Sequence, residues 1–433
     1  MQVRTIMFLV ATVIAGLAFA DRALAESPLV SGTLPKVNDG FEVDSNDWPW
    51  WRGPLRNGTS AATVKAPRSF SATENVIWKA KVPGRGHGSP TVVGNQVFLA
   101  TANEAVGSQS LLCYERDSGD LLWNTVVHAK GAMKKNKKAS AASGTPAWDG
   151  EHAYICFPNS GALLVSALNA AGDIVWQKEV SKYVVHQGYG ASPALYQDLV
   201  IVSSDNKSGG AVAAYRRKSG ELVWKRERPK TPNYPSPTIL NVAGKDQLVM
   251  VGCDKVASFD PMTGKTNWEI DGATTECVAS TVTDGNLVYT SGGYPKDHMS
   301  AIAADGSGKL VWENKSRLYV PSLLIQDRYL YGVLDAGMAY CWKADTGEVM
   351  WKQRLGGTFS SSPVLYGDII YAANEAGEVF VYKATTSSYQ EVGKCQLGDR
   401  VFATPTIVGG KIYHRVSMRE GDRLQEWLYC IGK

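Results

Sequence analysis

The sequence lacks a strong excess of either charge. It contains 45 lysine and arginine residues against 41 aspartate and glutamate residues in 433, a net charge of +4. The broad basic surface of a dedicated nucleic-acid-binding protein is therefore not expected. With 44% hydrophobic and 20% charged residues, the composition is that of a globular chain able to form a sizeable core.

Long apolar runs are also missing, except at the N-terminus. Residues 6–20 are apolar and follow Arg4, and Ala23 and Ala25 place small residues where signal peptidase cleaves. Residues 1–25 therefore predict a cleavable signal peptide and a periplasmic or secreted protein. No other uncharged stretch approaches the roughly 20 residues of a membrane-spanning helix. No cysteine adjoins the predicted cleavage site, so a bacterial lipid anchor would have no attachment point.

Motifs typical of catalytic and metal sites are missing too. The sequence has no Gly-x-Ser-x-Gly element and no phosphate-binding Gly-Lys-Ser/Thr motif. Its six histidines are scattered, with no metal-ligand spacing and no Cys-x-x-Cys nearby. We therefore expect no catalytic residue and no metal ligand.

What the sequence does contain is a repeat rich in glycine and tryptophan. A Gly-x-x-x-Trp motif occurs six times, with Trp-to-Trp steps of 53, 48, 44, 44 and 39 residues. Each unit also carries a Ser/Thr-Pro pair or a relative of it, which raises the count to eight units: Ser89-Pro90, Thr145-Pro146, Ser192-Pro193, Ser236-Pro237, Ser280-Thr281, Pro321-Ser322, Ser362-Pro363 and Thr404-Pro405.

Each unit reads as four short strands separated by turns. An apolar run follows the proline, then come a Gly/Asp/Asn turn, an alternating run, a variable loop, a third run, and the glycine turn before the tryptophan. No helical period extends beyond a turn or two. Residues 76–433, divided by eight, give about 45 residues per unit, the size of a propeller blade. The sequence thus predicts an all-β, eight-bladed β-propeller of four-stranded antiparallel blades.

Two irregularities bear on this count. The seventh unit has Gly393 at the tryptophan position, so we expect it to open most easily. The eighth unit ends after a third strand at residues 427–431, whereas residues 76–79 resemble a fourth strand without a blade. We therefore expect the N-terminal strand to complete the last blade and close the ring.

The repeat resembles the tryptophan-docking motif Ala-x-Asp-x-x-Thr-Gly-x-x-x-Trp of the PQQ-repeat, or quinoprotein-like and BamB-like, β-propellers. The nearest copies are CWKADTGEVMW at residues 341–351 and SFDPMTGKTNW at residues 258–268. The resemblance implies that indoles lie between neighbouring blades, and it assigns this docking role to Trp78, Trp123, Trp176, Trp224, Trp268, Trp312 and Trp351.

The resemblance implies the fold more firmly than an activity, because the family includes PQQ-dependent dehydrogenases and non-catalytic BamB-type assembly scaffolds. Alcohol-oxidising members carry adjacent disulfide-bonded cysteines, an aspartate base, calcium ligands and longer loops. No two cysteines are adjacent here, and most units are short. We expect a monomeric, non-catalytic scaffold without a cofactor, binding an envelope or extracellular protein or an anionic glycan. The alternatives are an oxidoreductase using PQQ and calcium, and a BamB-like assembly factor, which the absent anchor cysteine disfavours.

Segments outside the repeat have their own expected roles. Residues 26–47 are polar and aperiodic and predict a flexible leader. Residues 48–75 begin with WPWWRGP and are similar to the tryptophan-rich lead-in of this family, expected to cap the propeller rather than bind a ligand. Residues 128–145 form an inserted loop with five lysines, expected to be solvated, with attraction to anionic glycans or lipid head groups as the alternative.

Seven cysteines leave at least one unpaired. Cys113, Cys341 and Cys430 occupy a small-residue position in third strands and are expected to be buried and unreactive. Cys253 and Cys277 are the one pair that merits a test as a disulfide.

A candidate binding site follows from the loops that enter the innermost strands. Four positions before the Ser/Thr-Pro position, and its relatives, stand Arg85, Glu276, Arg317 and Arg400; two positions before stand His87, Tyr234, Tyr319 and Phe402. Residues at one offset should form a ring at the mouth of the central channel. We expect an anion or sugar-acid site in which arginines bind a carboxylate or sulfate, with arginines paired to loop carboxylates as the alternative.

Overall fold

In the computed structural model of this protein, the described residues are 36–62 and 64–433. They contain 33 strands and no helix, arranged as eight blades around a channel. Accordingly, this part of the chain holds no helix long and apolar enough to cross a membrane. The predicted signal peptide, residues 1–25, lies outside the described residues.

The first four blades follow one another along the chain, each running from the innermost to the outermost strand. Their strands are Thr91–Val93, Gln96–Asn103, Ser108–Glu115 and Leu121–His128 in blade 1; Ala147–Trp148, His152–Asn159, Ala162–Asn169 and Ile174–Lys182 in blade 2; Ala194–Tyr196, Leu199–Ser203, Gly210–Arg216 and Leu222–Arg228 in blade 3; and Thr238–Val242, Lys245–Gly252, Lys255–Phe259 and Thr266–Asp271 in blade 4.

The last four blades repeat the pattern, with additions from the N-terminal segment in blades 7 and 8. Their strands are Val282–Thr283, Leu287–Gly292, His298–Ala303 and Leu310–Asn314 in blade 5; Leu324–Gln326, Tyr329–Val333, Met338–Lys343 and Val349–Arg354 in blade 6; Thr59–Ser60, Val364–Tyr366, Ile369–Ala373, Glu378–Lys383 and Glu391–Gln396 in blade 7; and Thr406–Val408, Lys411–Glu420, Arg423–Ile431 and Val76–Val82 in blade 8.

Ring closure by the N-terminal strand is confirmed. Strand Val76–Val82 pairs antiparallel with Arg423–Ile431, so the first long strand of the propeller is the outer strand of its last blade. The pairing covers an edge whose unpaired N–H and C=O groups would otherwise be open to another strand. The predicted eight-bladed, all-β fold is likewise confirmed.

The Ser/Thr of the repeated motif links neighbouring blades around the channel. The backbone N–H of one motif residue donates to the hydroxyl of the next at 2.8–3.0 Å, in six steps: Ser89 to Thr145, Thr145 to Ser192, Ser192 to Ser236, Ser280 to Ser322, Ser322 to Ser362, and Ser362 to Thr404. In blade 6 the motif position is therefore Ser322, one residue after Pro321.

The tryptophans of the repeat contact the neighbouring blades. In six cases the indole Nε1 donates to a backbone carbonyl of the next blade at 2.7–3.1 Å: Trp78 to Arg116, Trp123 to Ala170, Trp176 to Arg217, Trp224 to Pro261, Trp312 to Ala344, and Trp351 to Thr385. Trp268 instead donates to Gln247 Oε1 at 2.8 Å, and the Gln247 amide donates to Ala304 of blade 5 at 2.8 Å. Gln247 thus relays the same contact.

The described part of the leader packs against the propeller, which corrects the expectation of a flexible segment for residues 36–47. Asp39 and Arg56 form an ion pair at 2.7 Å, with side chains 5% and 6% exposed. Phe41 packs edge-on against Trp50. Two charges removed from water require each other, so these residues are held in place.

The glycine at the tryptophan position of blade 7 does not leave a gap. A Cβ on Gly393 would collide with the carbonyl oxygen of Arg68, because residues 66–70 of the lead-in lie over this position. Phe70 is buried in the same core cluster as Val379 and Leu397. The lead-in therefore supplies the packing that an indole supplies in the other blades.

All seven cysteines are unpaired and buried. The Cys253 thiol faces Asp205 and the Thr231 carbonyl, whereas the Cys277 thiol faces Thr274. Burial raises the pKa of both thiols. The structure thus contains Cys253 and Cys277 as separate, unreactive thiols.

Candidate functional site

The loops that enter the inner strands lie at one face of the propeller, as the repeat predicts. Three of them are fixed by backbone pairing with the end of the second strand of the same blade: Arg85 with Ala102, Glu276 with Tyr294, and Arg400 with Ser417. These three positions are equivalent in blades 1, 5 and 8. Their side chains therefore start from matching points around the mouth.

The lead-in closes the opposite end of the channel. Its residues Trp48, Arg56 and Gly58 bond to the inner strands of blades 1, 3 and 7. Trp51 bonds to Ser280, just before the inner strand of blade 5. Arg52 is 1% exposed and donates to the carbonyls of Leu323 and Pro363 in blades 6 and 7, and burial lowers its pKa to about 9. The channel is therefore open only at the face of the entry loops.

A cavity of about 600 Å³ occupies the open end, with Trp51 among its lining residues. Trp51 is fixed there because its Nε1 donates to Ser280 Oγ at 2.8 Å. Five of the eight predicted site residues line this mouth cavity: His87, Tyr234, Glu276, Tyr319 and Phe402. The structure therefore brings these five side chains together around one cavity, although with the motif position at Ser322 the residue equivalent to His87 is Val320 rather than Tyr319.

The three predicted arginines do not line the mouth cavity. Arg85 and Arg400 line a smaller adjoining pocket. Arg317 is exposed and pairs with Asp297 at 3.1 Å, as the alternative interpretation expected of a loop arginine. Its offset was counted from Pro321, but Ser322 holds the motif position, so the buried Leu318 is the residue equivalent to Arg85.

A polar cluster on neighbouring entry loops forms one wall of the mouth cavity. Glu276, which is 6% exposed, has Oε1 3.2 Å from His186 Nδ1, and its Oε2 accepts from the Tyr319 hydroxyl at 3.4 Å. The Tyr234 hydroxyl lies 3.2 Å from His186 Nδ1. Burial, aided by the charge of Glu276, raises the pKa of both tyrosines, which remain neutral donors.

Two further carboxylates in the mouth cavity were missed by the sequence analysis. Asp335 accepts from the backbone N–H groups of Tyr319 and Val320 at 2.9 and 3.3 Å, and burial raises its pKa. Glu375 lies 2.9 Å from Lys138. Both carboxylates follow a second strand, in loops that an offset measured from the inner strand does not reach. His186 also stands outside the two offsets considered.

The inserted loop, residues 128–145, leans over the mouth. Asn136 bonds to Gln187 of the next entry loop at 2.8 Å, and Lys138 reaches Glu375 in blade 7. Lys134 pairs with Glu104. Two of the five lysines are therefore bound to carboxylates, which departs from the expectation of a simply solvated loop.

The mouth cavity is thus aromatic and acidic. Three carboxylates line it, Glu276, Asp335 and Glu375, against one lysine that is already paired. Carboxylates partly removed from water favour a cationic partner, and the exposed faces of Phe402, Tyr234 and Tyr319 favour apolar or aromatic groups. This lining does not suit the anion expected from the sequence.

The sequence of this chain is similar to a family of known proteins. A family profile described as "Outer membrane protein assembly factor BamB" matches residues 68–183, 107–353 and 300–413. The outer membrane protein assembly factor BamB of Bordetella pertussis is 23% identical over 344 residues, which is 76% of this chain and 80% of that protein.

Two solved structures share the architecture. BamB from Moraxella catarrhalis has a TM-score of 0.58 and 15% identity, covering 82% of this chain and 99% of its own. Quinohemoprotein alcohol dehydrogenase from Comamonas testosteroni has a TM-score of 0.65 and 13% identity, covering 90% of this chain and 81% of its own. At these identities the likeness concerns the fold. The three matches of the family profile overlap and together span residues 68 to 413, and the chain therefore belongs to the BamB-like family of PQQ-repeat β-propellers.

Proposed function

We propose that this protein is a non-catalytic scaffold of the periplasm or the extracellular space that binds a segment of another protein in the mouth cavity. The observation that carries the proposal is a cavity of about 600 Å³, closed below by the lead-in and lined by aromatic side chains and three carboxylates. A partner loop with one basic and one aromatic or aliphatic side chain matches this lining. Concave sites of this size and mixed polarity are typical of specific binding.

The chemistry of the wall supports a protein segment over an anionic glycan. Glu276 is largely buried and shares its oxygens with His186 and Tyr319, which fixes the carboxylate in one orientation. A lysine or arginine placed against it would form a charge-assisted bond in a poorly hydrated site. An acidic glycan would meet Glu276, Asp335 and Glu375 as like charges. The name of the Bordetella pertussis relative, outer membrane protein assembly factor BamB, agrees with a protein partner.

The lining of the mouth cavity matches PQQ and calcium poorly, which argues against the oxidoreductase alternative. PQQ carries three carboxylates, and the mouth cavity offers carboxylates and one lysine that Glu375 already binds. In the described part of the chain, no group of three or more His, Cys, Asp or Glu side chains is arranged to hold a metal ion. This lining does not fit the cofactor, which supports a binding role.

The test is site-specific cross-linking from the two faces of the propeller. A photoreactive amino acid replaces Tyr294, which lines the mouth cavity and is 54% exposed. The matched control replaces Met262, which is 37% exposed in the turn between the third and fourth strands of blade 4, at the opposite face. In an envelope extract we expect a discrete cross-linked protein from position 294 and none from position 262.

The same capture is repeated with Glu276→Gln, which removes the charge at nearly constant shape. We expect a loss of roughly tenfold or more in capture at position 294, because a buried charged hydrogen bond is lost. Capture equal at both faces, or unaffected by Glu276→Gln, would contradict the proposal. A bound-quinone absorbance after incubation with PQQ and calcium, together with alcohol oxidation, would favour the oxidoreductase instead.

A further inference from the structure

A second cavity, of about 150 Å³, lies between blades 8 and 1 beside the mouth. Its walls are the entry loops of the two blades, residues 84–87 and 400–403, and the second and third strands of blade 8. His87 and Phe402 line both this pocket and the mouth cavity. The two spaces are therefore neighbours.

Cations outnumber carboxylates in this pocket. Arg85, Arg400 and Arg415 line it, and Glu426 is the one carboxylate among the lining residues. Glu426 is committed to Arg415, with which it forms a buried charge-assisted pair, and it also accepts from the Gly86 N–H at 3.3 Å. The pocket therefore keeps two guanidinium groups that its own carboxylate does not neutralise.

Arg85 and Arg400 differ in the partners of their guanidinium groups. Arg85 lies 3.5 Å from Glu104, but that carboxylate also binds Lys134. Arg400 is half-buried and stacks over Phe402 with 5.0 Å from its Cζ to the ring centroid. Among the described residues its guanidinium has no hydrogen bond or ion pair. A guanidinium withdrawn from water without a counter-ion is costly unless an anion joins it.

The pKa of the histidine beside these arginines reflects their positive charges. His87 stacks on Phe402 with ring centroids 4.3 Å apart. Its pKa is held well below the usual range, first by burial and then by the charges of Arg85, Arg415, Arg400 and Lys134. The largest charge contributions to this pKa all come from cations, in contrast to the carboxylates that line the mouth cavity.

We propose that the pocket between blades 8 and 1 binds a single oxyanion group, a carboxylate, sulfate or phosphate, through Arg85 and Arg400. The planar guanidinium forks suit the oxygens of such a group, and Phe402 holds the Arg400 fork in place. The volume of about 150 Å³ admits one small group rather than a whole ligand. This site goes beyond the proposed function, because it takes the opposite charge from the mouth cavity.

The test follows the imidazole resonances of His87 by NMR while sodium sulfate or sodium acetate is added at constant ionic strength. We expect a saturable shift of the His87 signals, with an increase in the pKa of His87 as the bound anion offsets the arginine charges. Arg400→Gln should weaken the affinity by roughly tenfold or more. Arg317→Gln, an exposed arginine outside both cavities, is the matched control and should bind as the unchanged protein does.

The source of the oxyanion is separated by a second pair of probes, the dipeptide acetyl-Lys-Phe with a free or an amidated C-terminus. Tighter binding of the free acid than of acetate would assign the pocket to a carboxylate carried by a larger ligand, and equal binding would assign it to free ions. Both results support the oxyanion pocket. The oxyanion pocket would be overturned if the folded protein without substitutions showed no saturable His87 shift, or if Arg400→Gln bound the anion as tightly as that protein. Neither result bears on the cross-linking at the mouth.

Discussion

At the scale of the residue, the repeated glycine has two tasks that the sequence shows only in part. Its position in a turn predicts a left-handed backbone, and Gly220 indeed has a φ of +67°. The structure adds a contact between blades, because a Cβ on Gly220 would lie 2.7 Å from the Trp176 ring of the preceding blade. The glycine and the tryptophan that ends the previous unit are therefore partners across a blade boundary.

Gly220→Ala should destabilise the protein more than Gly244→Ala. Both glycines have similar positive φ values, +67° and +71°, so both substitutions incur about 1–2 kcal/mol of backbone strain. Only position 220 adds a collision with an indole, worth about 1–3 kcal/mol more, since nothing lies within 4 Å of a Cβ at position 244. Urea denaturation of the two variants measures the difference, and equal midpoints would show that the indole moves aside.

The site residues show where residue-level prediction succeeds and fails. His87, Tyr234 and Phe402 were located because an offset from a regular motif fixes a place in a regular fold. The offset fails for Arg317 because the proline precedes the serine in this unit, so a count from Pro321 begins one residue before the motif position at Ser322. Asp335 and Glu375 come from loops of variable length, for which no motif sets an offset.

At the scale of the element, the lead-in does more than cap the propeller. It closes the channel with Trp51 and Arg52, and it replaces the missing tryptophan of blade 7 with residues 66–70. The sequence indicates an aromatic segment before the first blade, but it does not indicate which blade receives it. That choice depends on a contact with Gly393, more than 300 residues away along the chain.

Blade 7 should be as protected from hydrogen exchange as blade 4, and Phe70→Ala should remove that protection. Phe70 is 3% exposed, so its truncation leaves a cavity costing about 3–5 kcal/mol, borne locally by blade 7. We expect faster exchange in residues 379–397 and no change in residues 256–268. Phe41→Ala, which alters another aromatic residue of the N-terminal segment that packs on Trp50, is the control.

Rapid exchange of residues 379–397 in the unchanged protein would restore the original expectation that blade 7 opens most easily. Equal effects of Phe70→Ala and Phe41→Ala would show that the packing of Phe70 is not specific to blade 7.

At the scale of the whole molecule, the N-terminal segment is bound to the ring at several points in succession. Asp39 pairs with Arg56, the lead-in closes one end of the channel, and strand Val76–Val82 completes blade 8. The closing strand was predictable because an incomplete last blade and a surplus first strand match each other. The Asp39–Arg56 pair was not, because one acidic residue in a polar segment carries no periodic signal.

Chains that begin at Lys36, Trp48 and Ala80 should lose stability in that order. Starting at Trp48 removes Asp39 and leaves Arg56 buried and unpaired, which costs about 3–5 kcal/mol. Starting at Ala80 also removes most of the closing strand and exposes the edge of Arg423–Ile431. Urea denaturation measures the loss of stability in the chain that begins at Trp48. For the chain that begins at Ala80, urea denaturation and light scattering detect unfolding or aggregation.

Arg56→Met in the chain that begins at Trp48 is the matched control, because it removes the unpaired charge and should recover part of the loss. Equal stability of the chains that begin at Lys36 and Trp48 would show that the buried ion pair is without effect.

The closure of blade 8 determines when, during synthesis of the chain, the ring can be completed. Its outer strand, Val76–Val82, leaves the ribosome before the strands of blades 1–6, whereas its partner, Arg423–Ile431, is made only after the strands of blades 1–7. Val76–Val82 therefore lacks its partner strand while blades 1–7 are being synthesised. The ring can therefore close only after blades 1–7 have been made, and a chain arrested before Arg423–Ile431 cannot reach the closed form.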